Sequence, residues 1–164
     1  MVVAHVAHGE LHQQRAASLE ERTARHGREF ATVGPRGDSD SPLTHAELEL
    51  LDDVLIEAER VTGLRFAAYV GSLGNDTRAG AESLLLSLDH EAPVTVLLAV
   101  SPAQRVVEVV TGSEASRRIS ERAARLAVLS VVSSCGLGEV ATGVTNGVRI
   151  LADQAGTLPE RSTW

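Results

Sequence analysis

The chain has 164 residues, 43% hydrophobic and 23% charged, with a formal net charge of -7. At this length about 70% of the unfolded surface can be buried, so one domain with a real core is expected, and the negative balance opposes a non-specific grip on nucleic acid or anionic lipid. All 15 basic residues are Arg, which excludes a Schiff-base lysine, a Ser-Lys dyad and a Walker-type phosphate lysine, while the lone Cys135 excludes an internal disulfide and any zinc site with two or more thiolates.

Residues 1–42 are polar and end in the loop-forming cluster Gly34-Pro35-Arg36-Gly37-Asp38-Ser39-Asp40-Ser41-Pro42, which reads as a partly disordered arm and linker. A weak helix is predicted over 9–25 and a weak edge strand over 28–33. The start, Met1-Val2-Val3-Ala4-His5-Val6-Ala7-His8, lacks the basic and long apolar regions of a signal peptide, and no run approaches the roughly 18 apolar residues of a membrane span. A soluble, cytoplasmic protein without membrane insertion is the expectation. His5, His8 and His12 would share a helical face, yet no carboxylate or cysteine cluster completes a ligand set.

The folded domain is placed at 43–156. Thr44 and Glu47 make a capping box, Leu48, Leu51, Leu55, Ala58 and Thr62 recur at steps of three and four, and Gly63 supplies a left-handed helix end. A first core strand is predicted over 64–70, then a loop, then a helix capped by Asp76 that presents Ala81, Leu84, Leu85 and Leu88. The apolar β-branched runs 94–100 and 106–111 flank the turn Ser101-Pro102-Ala103-Gln104 and read as a buried hairpin. Its first strand must run parallel to strand 64–70, through a right-handed crossover.

An Ala- and Arg-rich helix is predicted over 114–134, with Ile119, Ala123, Leu126 or Ala127, and Val131 inward. Arg118, Arg122 and Arg125 line one helical face and could receive phosphate or carboxylate, but Glu114 and Glu121 lie four residues before Arg118 and Arg125, so ion pairs on a solvated face are the expectation. A last helix over 139–155 carries Gly143 and Gly147, small enough for close approach to a neighbour and a candidate homo-oligomer surface. Residues 157–164 read as a disordered tail. The predicted architecture is an α/β sandwich in three layers, a small mixed sheet of three or four strands packed by about four helices. Gly136-Leu137-Gly138-Glu139-Val140-Ala141 matches a dinucleotide fingerprint, but the strand and acidic ribose ligand that must follow are missing. Cys135 follows an apolar stretch and reads as an inert core thiol.

Reversal of the hairpin gathers polar residues at one sheet edge: Asp89, His90, Glu91, Gly112, Ser113, Glu114 and Arg117. Asp89, Glu91 and Glu114 there are candidate oxygen ligands for a divalent cation such as calcium or magnesium, or a paired acid and base. Open α/β sheets favour ligands at the carboxyl ends of the parallel strands instead, which points to the competing edge at Gly71, Asp76 and Ser101.

The helix closing in Thr62-Gly63, the strand over 94–100, the strand ending at Gly112, and Gly138-Glu139-Val140-Ala141-Thr142-Gly143-Val144-Thr145-Asn146-Gly147 together resemble the TPM domain. The likeness covers about 44–155 and is greatest to an uncharacterised actinobacterial family of short TPM-related proteins of unknown function. The resemblance implies an α/β sandwich and, by the varied roles described for TPM domains, metal binding, weak acid phosphatase activity or an accessory part in membrane complexes. Where many TPM domains have Asp-Asn-Gly, this chain has Asp89-His90-Glu91-Ala92-Pro93, and where they have a Gly-Tyr-Gly-like turn it has Thr111-Gly112-Ser113-Glu114. These departures weigh against a phosphatase. The leading expectation is a non-enzymatic module that binds a partner protein or small ligand; a weak metal-dependent phosphatase and a structural homo-oligomer are the alternatives.

Overall fold

The computed structural model describes residues 32–33 and 43–158. The predicted helix over 9–25, the histidine trio and residues 28–31 of the predicted edge strand lie outside the described residues. Within these bounds the chain runs β1 (Thr32–Val33), α1 (His45–Thr62), β2 (Arg65–Val70), α2 (Thr77–Leu86), a 3-10 turn (Asp89–Val94), β3 (Thr95–Ser101), β4 (Val106–Thr111), a second 3-10 turn (Ala115–Arg117), α3 (Glu121–Gly136) and α4 (Val140–Ala155).

The sheet order is β1-β2-β3-β4. β1 and β3 both pair parallel with β2, with Val33 opposite Val70 and Val70 opposite Val100; β4 returns antiparallel, with Val107 opposite Val100. The expected strand-helix-strand crossover and hairpin are both present. β3 is buried along its whole length, which is why it reads as an unbroken apolar run rather than an alternating one. Val96, Leu98 and Val100 face a core shared with α1, α3 and α4. Leu97 and Ala99 face the other way and pack with Tyr69, Ala81 and Leu85 beneath α2. The result is three layers. Each fully buried leucine, such as Leu55, Leu98 or Leu151, contributes about 1.5–3 kcal/mol relative to an exposed one.

Local chemistry fixes the element ends. The Thr44 hydroxyl accepts the Glu47 amide at 3.3 Å and the Glu47 carboxylate accepts the Thr44 amide at 2.7 Å, so two orphan donors of α1 are satisfied reciprocally. At its other end Gly63 adopts φ 73°, as the Thr-Gly signature predicts. Beyond α4, the Leu158 amide donates to the Val61 carbonyl at 2.8 Å; residues 159–164 of the predicted tail lie outside the described residues.

The helix predicted over 114–134 is corrected. Residues 115–117 form a 3-10 turn with Ala115 buried, and α3 starts only at Glu121, where the Ser120 hydroxyl caps the Ala123 amide at 3.1 Å. The Ser120 cap and the buried side chain of Ile119 break what the periodicity alone makes continuous. Of Leu126 and Ala127, the inward residue is Ala127, fully buried, while Leu126 is 49% exposed. Gly143 and Gly147 do permit a close approach, but to α3 of the same chain: a Cβ on Gly147 would lie 2.6 Å from Val131 Cγ2 and 2.9 Å from Leu98 Cδ2. The final helix therefore has no glycine face left for a homo-oligomer.

Candidate functional site

The loops of the first predicted edge do meet. The Gly112 amide donates to the Thr95 carbonyl at 2.9 Å and the Glu114 amide to the Pro93 carbonyl at 2.8 Å. Gly112 is required here, because a Cβ would collide with the Ala92 carbonyl oxygen and lie 2.5 Å from that of Pro93. Asp89 opens the 3-10 turn in a left-handed conformation, φ 52°, and with His90, Ser113, Glu114 and Arg117 it is exposed.

Juxtaposed loops do not make a ligand set. The Glu91 carboxylate turns to Arg65, 2.9 Å away, and Arg65 also lies 3.5 Å from Glu59, which ties the end of α1 to the 3-10 turn across the start of β2. Among the described residues no group of three or more His, Cys, Asp or Glu side chains is placed to hold a metal ion. The cation site expected at Asp89, Glu91 and Glu114 is thus not assembled among the described residues: the hairpin aligns the backbones, while the Glu91 carboxylate is drawn away to Arg65.

The competing edge is organised by a residue the sequence reading passed over. The Gln104 carboxamide oxygen accepts from the Ser101 hydroxyl at 2.8 Å and the Leu73 amide at 2.9 Å, and its nitrogen donates to the Gly74 carbonyl at 2.7 Å. One turn side chain thereby stitches the hairpin to the loop after β2. The Gly71 amide donates to the Val100 carbonyl at 2.9 Å, and Asp76 caps α2 through the Ala79 amide at 3.0 Å. Beneath the loop the Tyr69 hydroxyl donates to the Ser72 carbonyl at 2.9 Å, and burial pushes its phenol pKa up. Nothing in the local pattern marks a glutamine in a turn for such a task.

On the other side of the same edge lies a pocket of about 360 Å³ between the hairpin and the α3-α4 corner. Its walls are largely apolar: Val100, Val106, Val107, Val132 and Val140, with Cys135 among them. Cys135 is half-buried against the core rather than within it, and burial raises its pKa, which favours the protonated thiol. Arg105, held in a left-handed conformation at φ 55° as the hairpin turn closes, brings an exposed guanidinium to the rim.

The arginines predicted to form ion pairs divide. Arg125 does meet Glu121, at 3.4 Å. Arg118 does not meet Glu114, because neither residue lies on α3; its guanidinium donates to the carbonyls of Thr62 at 2.6 Å, Ala155 and Gly156 at 2.9 Å, and Thr157 at 3.0 Å. It closes the C-terminal ends of α1 and α4 together. Reading Ser120 as an N-cap is the signal that would have freed Arg118 from the helix.

The family described as Domain of unknown function (DUF5130) matches residues 25–152. The chain belongs to this family. "Uncharacterized protein Rv2468c" of Mycobacterium tuberculosis is 41% identical over 118 residues, covering 72% of this chain and 69% of the relative. Among solved structures, the BA42 protein of Bizionia argentinensis superposes with a TM-score of 0.63 at 15% identity, covering 71% of this chain and 83% of that one. The N-terminal domain of a protein from P. gingivalis gives a TM-score of 0.60 at 19% identity, covering 68% of this chain and 75% of that one. At such identities the two structures show a shared fold alone. No helix among the described residues is long and apolar enough to cross a membrane.

Proposed function

We propose that this DUF5130 chain is a TPM-like, non-enzymatic binding module that takes a small amphiphilic monoanion in the pocket at the carboxyl end of β3. The observation that carries the reading is the pairing of an apolar cavity of about 360 Å³ with a guanidinium, Arg105, at its rim. A volume in the range of about 300–1,000 Å³ with apolar walls and a single oriented polar group is the pattern of small-molecule sites. The position agrees with the preference of open α/β sheets for ligands beyond the carboxyl ends of the strands. A short-chain carboxylate fits this chemistry, its hydrocarbon among the valines and its charge on the guanidinium.

Titration of the full chain with octanoate, followed by NMR of its valine methyls, tests the proposal. Shifts should concentrate on Val100, Val106, Val132 and Val140, and Arg105→Gln should weaken binding about tenfold, the loss of one charge-assisted contact. Octanol, the uncharged counterpart, should bind the wild type no better than octanoate binds the variant. Absence of methyl shifts at saturating octanoate, or equal binding of octanoate and octanol, refutes it. The phosphatase alternative draws no support from Glu91, whose carboxylate is already held by Arg65.

A further inference from the structure

A second cavity, of about 680 Å³, runs along the β4 edge of the sheet beside α3. Its floor is apolar. Val107 and Val109 lie opposite Val100 and Leu98 and so face the α3 side of the sheet, where they line the cavity together with Ala124, Val128 and Leu129.

This trough adjoins the Arg105 pocket. Val107 lines both, so on the sheet wall one passes into the other within a single residue. On the helix wall Val128 lines the trough and Val132 the pocket, and residues four apart are neighbours on a helix face. From Val106 to Val109 the strand covers about 10 Å, so the apolar walls continue for that distance past the Arg105 rim.

The surroundings select what can lie there. Alternation from the Gly112-to-Thr95 hydrogen bond directs the backbone polar groups of Val107, Val109 and Thr111 outward, and the Val109 carbonyl already accepts from Arg78 at 2.9 Å. Arg78 is held in turn by Glu82 at 3.0 Å and Glu108 at 3.5 Å. An added strand would have to displace this arginine, a common way of blunting an edge. A hydrocarbon chain needs no backbone partner and leaves the arginine in place. The far end of the trough is polar: the Ser116 hydroxyl donates to the Ser113 carbonyl, Ser120 caps α3, and Arg125 pairs with Glu121. Covering such groups with hydrocarbon costs free energy, so the apolar run ends near Ala124.

We infer that the ligand of the Arg105 pocket is a medium-chain fatty acid whose carboxylate sits at Arg105 and whose hydrocarbon passes Val107 into the edge trough, toward Leu129 and Ala124. This deepens the ligand reading above and rests on it. Octanoate stays within the pocket, and the additional methylenes of dodecanoate enter the trough. Leu129, 65% exposed, is then a wall of the site, and the polar end of the trough sets the chain length accepted.

Titration of the full chain with octanoate, decanoate and dodecanoate, each below its micellar concentration and followed by methyl NMR, tests this. A fully buried methylene raises affinity about fourfold, and an open trough that realises half of that free energy gives about twofold per methylene. Dodecanoate should therefore bind about tenfold tighter than octanoate, and the methyls of Val109, Val128 and Leu129 should shift with dodecanoate and not with octanoate. Leu129→Gln should weaken dodecanoate about threefold and change octanoate affinity by less than about 1.5-fold, whereas Arg105→Gln should weaken both acids by the same factor. Level affinity across the series, dodecanoate binding that Leu129→Gln leaves unchanged, or trough shifts whose midpoint Arg105→Gln does not move overturns the trough while the pocket stands. Absence of shifts at Val100 and Val140 with every acid defeats the ligand reading itself, and this inference falls with it.

Discussion

Arg118→Ala tests how far a single side chain holds the helical layer together. Its guanidinium donates to four carbonyls, one at the end of α1 and three at and beyond the end of α4. Loss of a hydrogen bond to a charged group costs about 1.5–3 kcal/mol, but Arg118 is only partly buried, and water can replace it at the exposed Thr157 carbonyl. Counting only the contacts to Thr62 and Ala155, and discounting for that access, the expected loss is about 2–4 kcal/mol. With a urea dependence of about 2 kcal/mol/M, this lowers the unfolding midpoint by about 1–2 M. Arg118→Lys should recover less than half, because an ammonium cannot span the acceptors that a planar fork reaches. A midpoint for Arg118→Ala within about 0.3 M of wild type, or full recovery by lysine, would refute the reasoning.

Gly112→Val should cost more than about 3 kcal/mol in the same denaturation assay, since its side chain must displace backbone and not a flexible neighbour; a loss below about 1 kcal/mol would show that the loop yields freely. Thr44→Ala removes the observed capping box and should cost about 1 kcal/mol, checked by the urea midpoint. Burial raises the Cys135 pKa above its ordinary value of 9.0, so the folded protein keeps its proton where the unfolded chain loses it. Stability from this group is complete below pH 9.0 and declines as pH rises above it; Cys135→Ala should flatten that decline, and thiol alkylation at neutral pH should be slower than for the urea-unfolded chain. Alkylation faster in the folded state would contradict the burial argument.

The hairpin, the crossover and the capped start of α1 were legible because each is set by local pattern: an apolar run, a turn, a Thr and Glu three residues apart. The start of α3 was not, because helical periodicity runs on through residues 114–120 while the Ser120 cap and the burial of Ile119 interrupt it. The same misplacement gave Arg118 a partner it does not have. At the candidate site, the meeting of the loops around Gly112 followed from strand direction, which sequence can supply. The aim of the Glu91 carboxylate depended on Arg65, 26 positions earlier in the chain, and no spacing rule connects them. Arg105 and Gln104 escaped notice because a turn residue is polar by default.

Gln104 binds on one side of the sheet and Arg105, its neighbour, stands at the pocket rim on the other. Two adjacent side chains of one turn thus reach both faces of the sheet, one held by three hydrogen bonds and the other standing at an apolar cavity. Gln104→Ala should therefore speed amide exchange at Leu73, whose donor it leaves without its acceptor, while the valine walls of the cavity keep their packing.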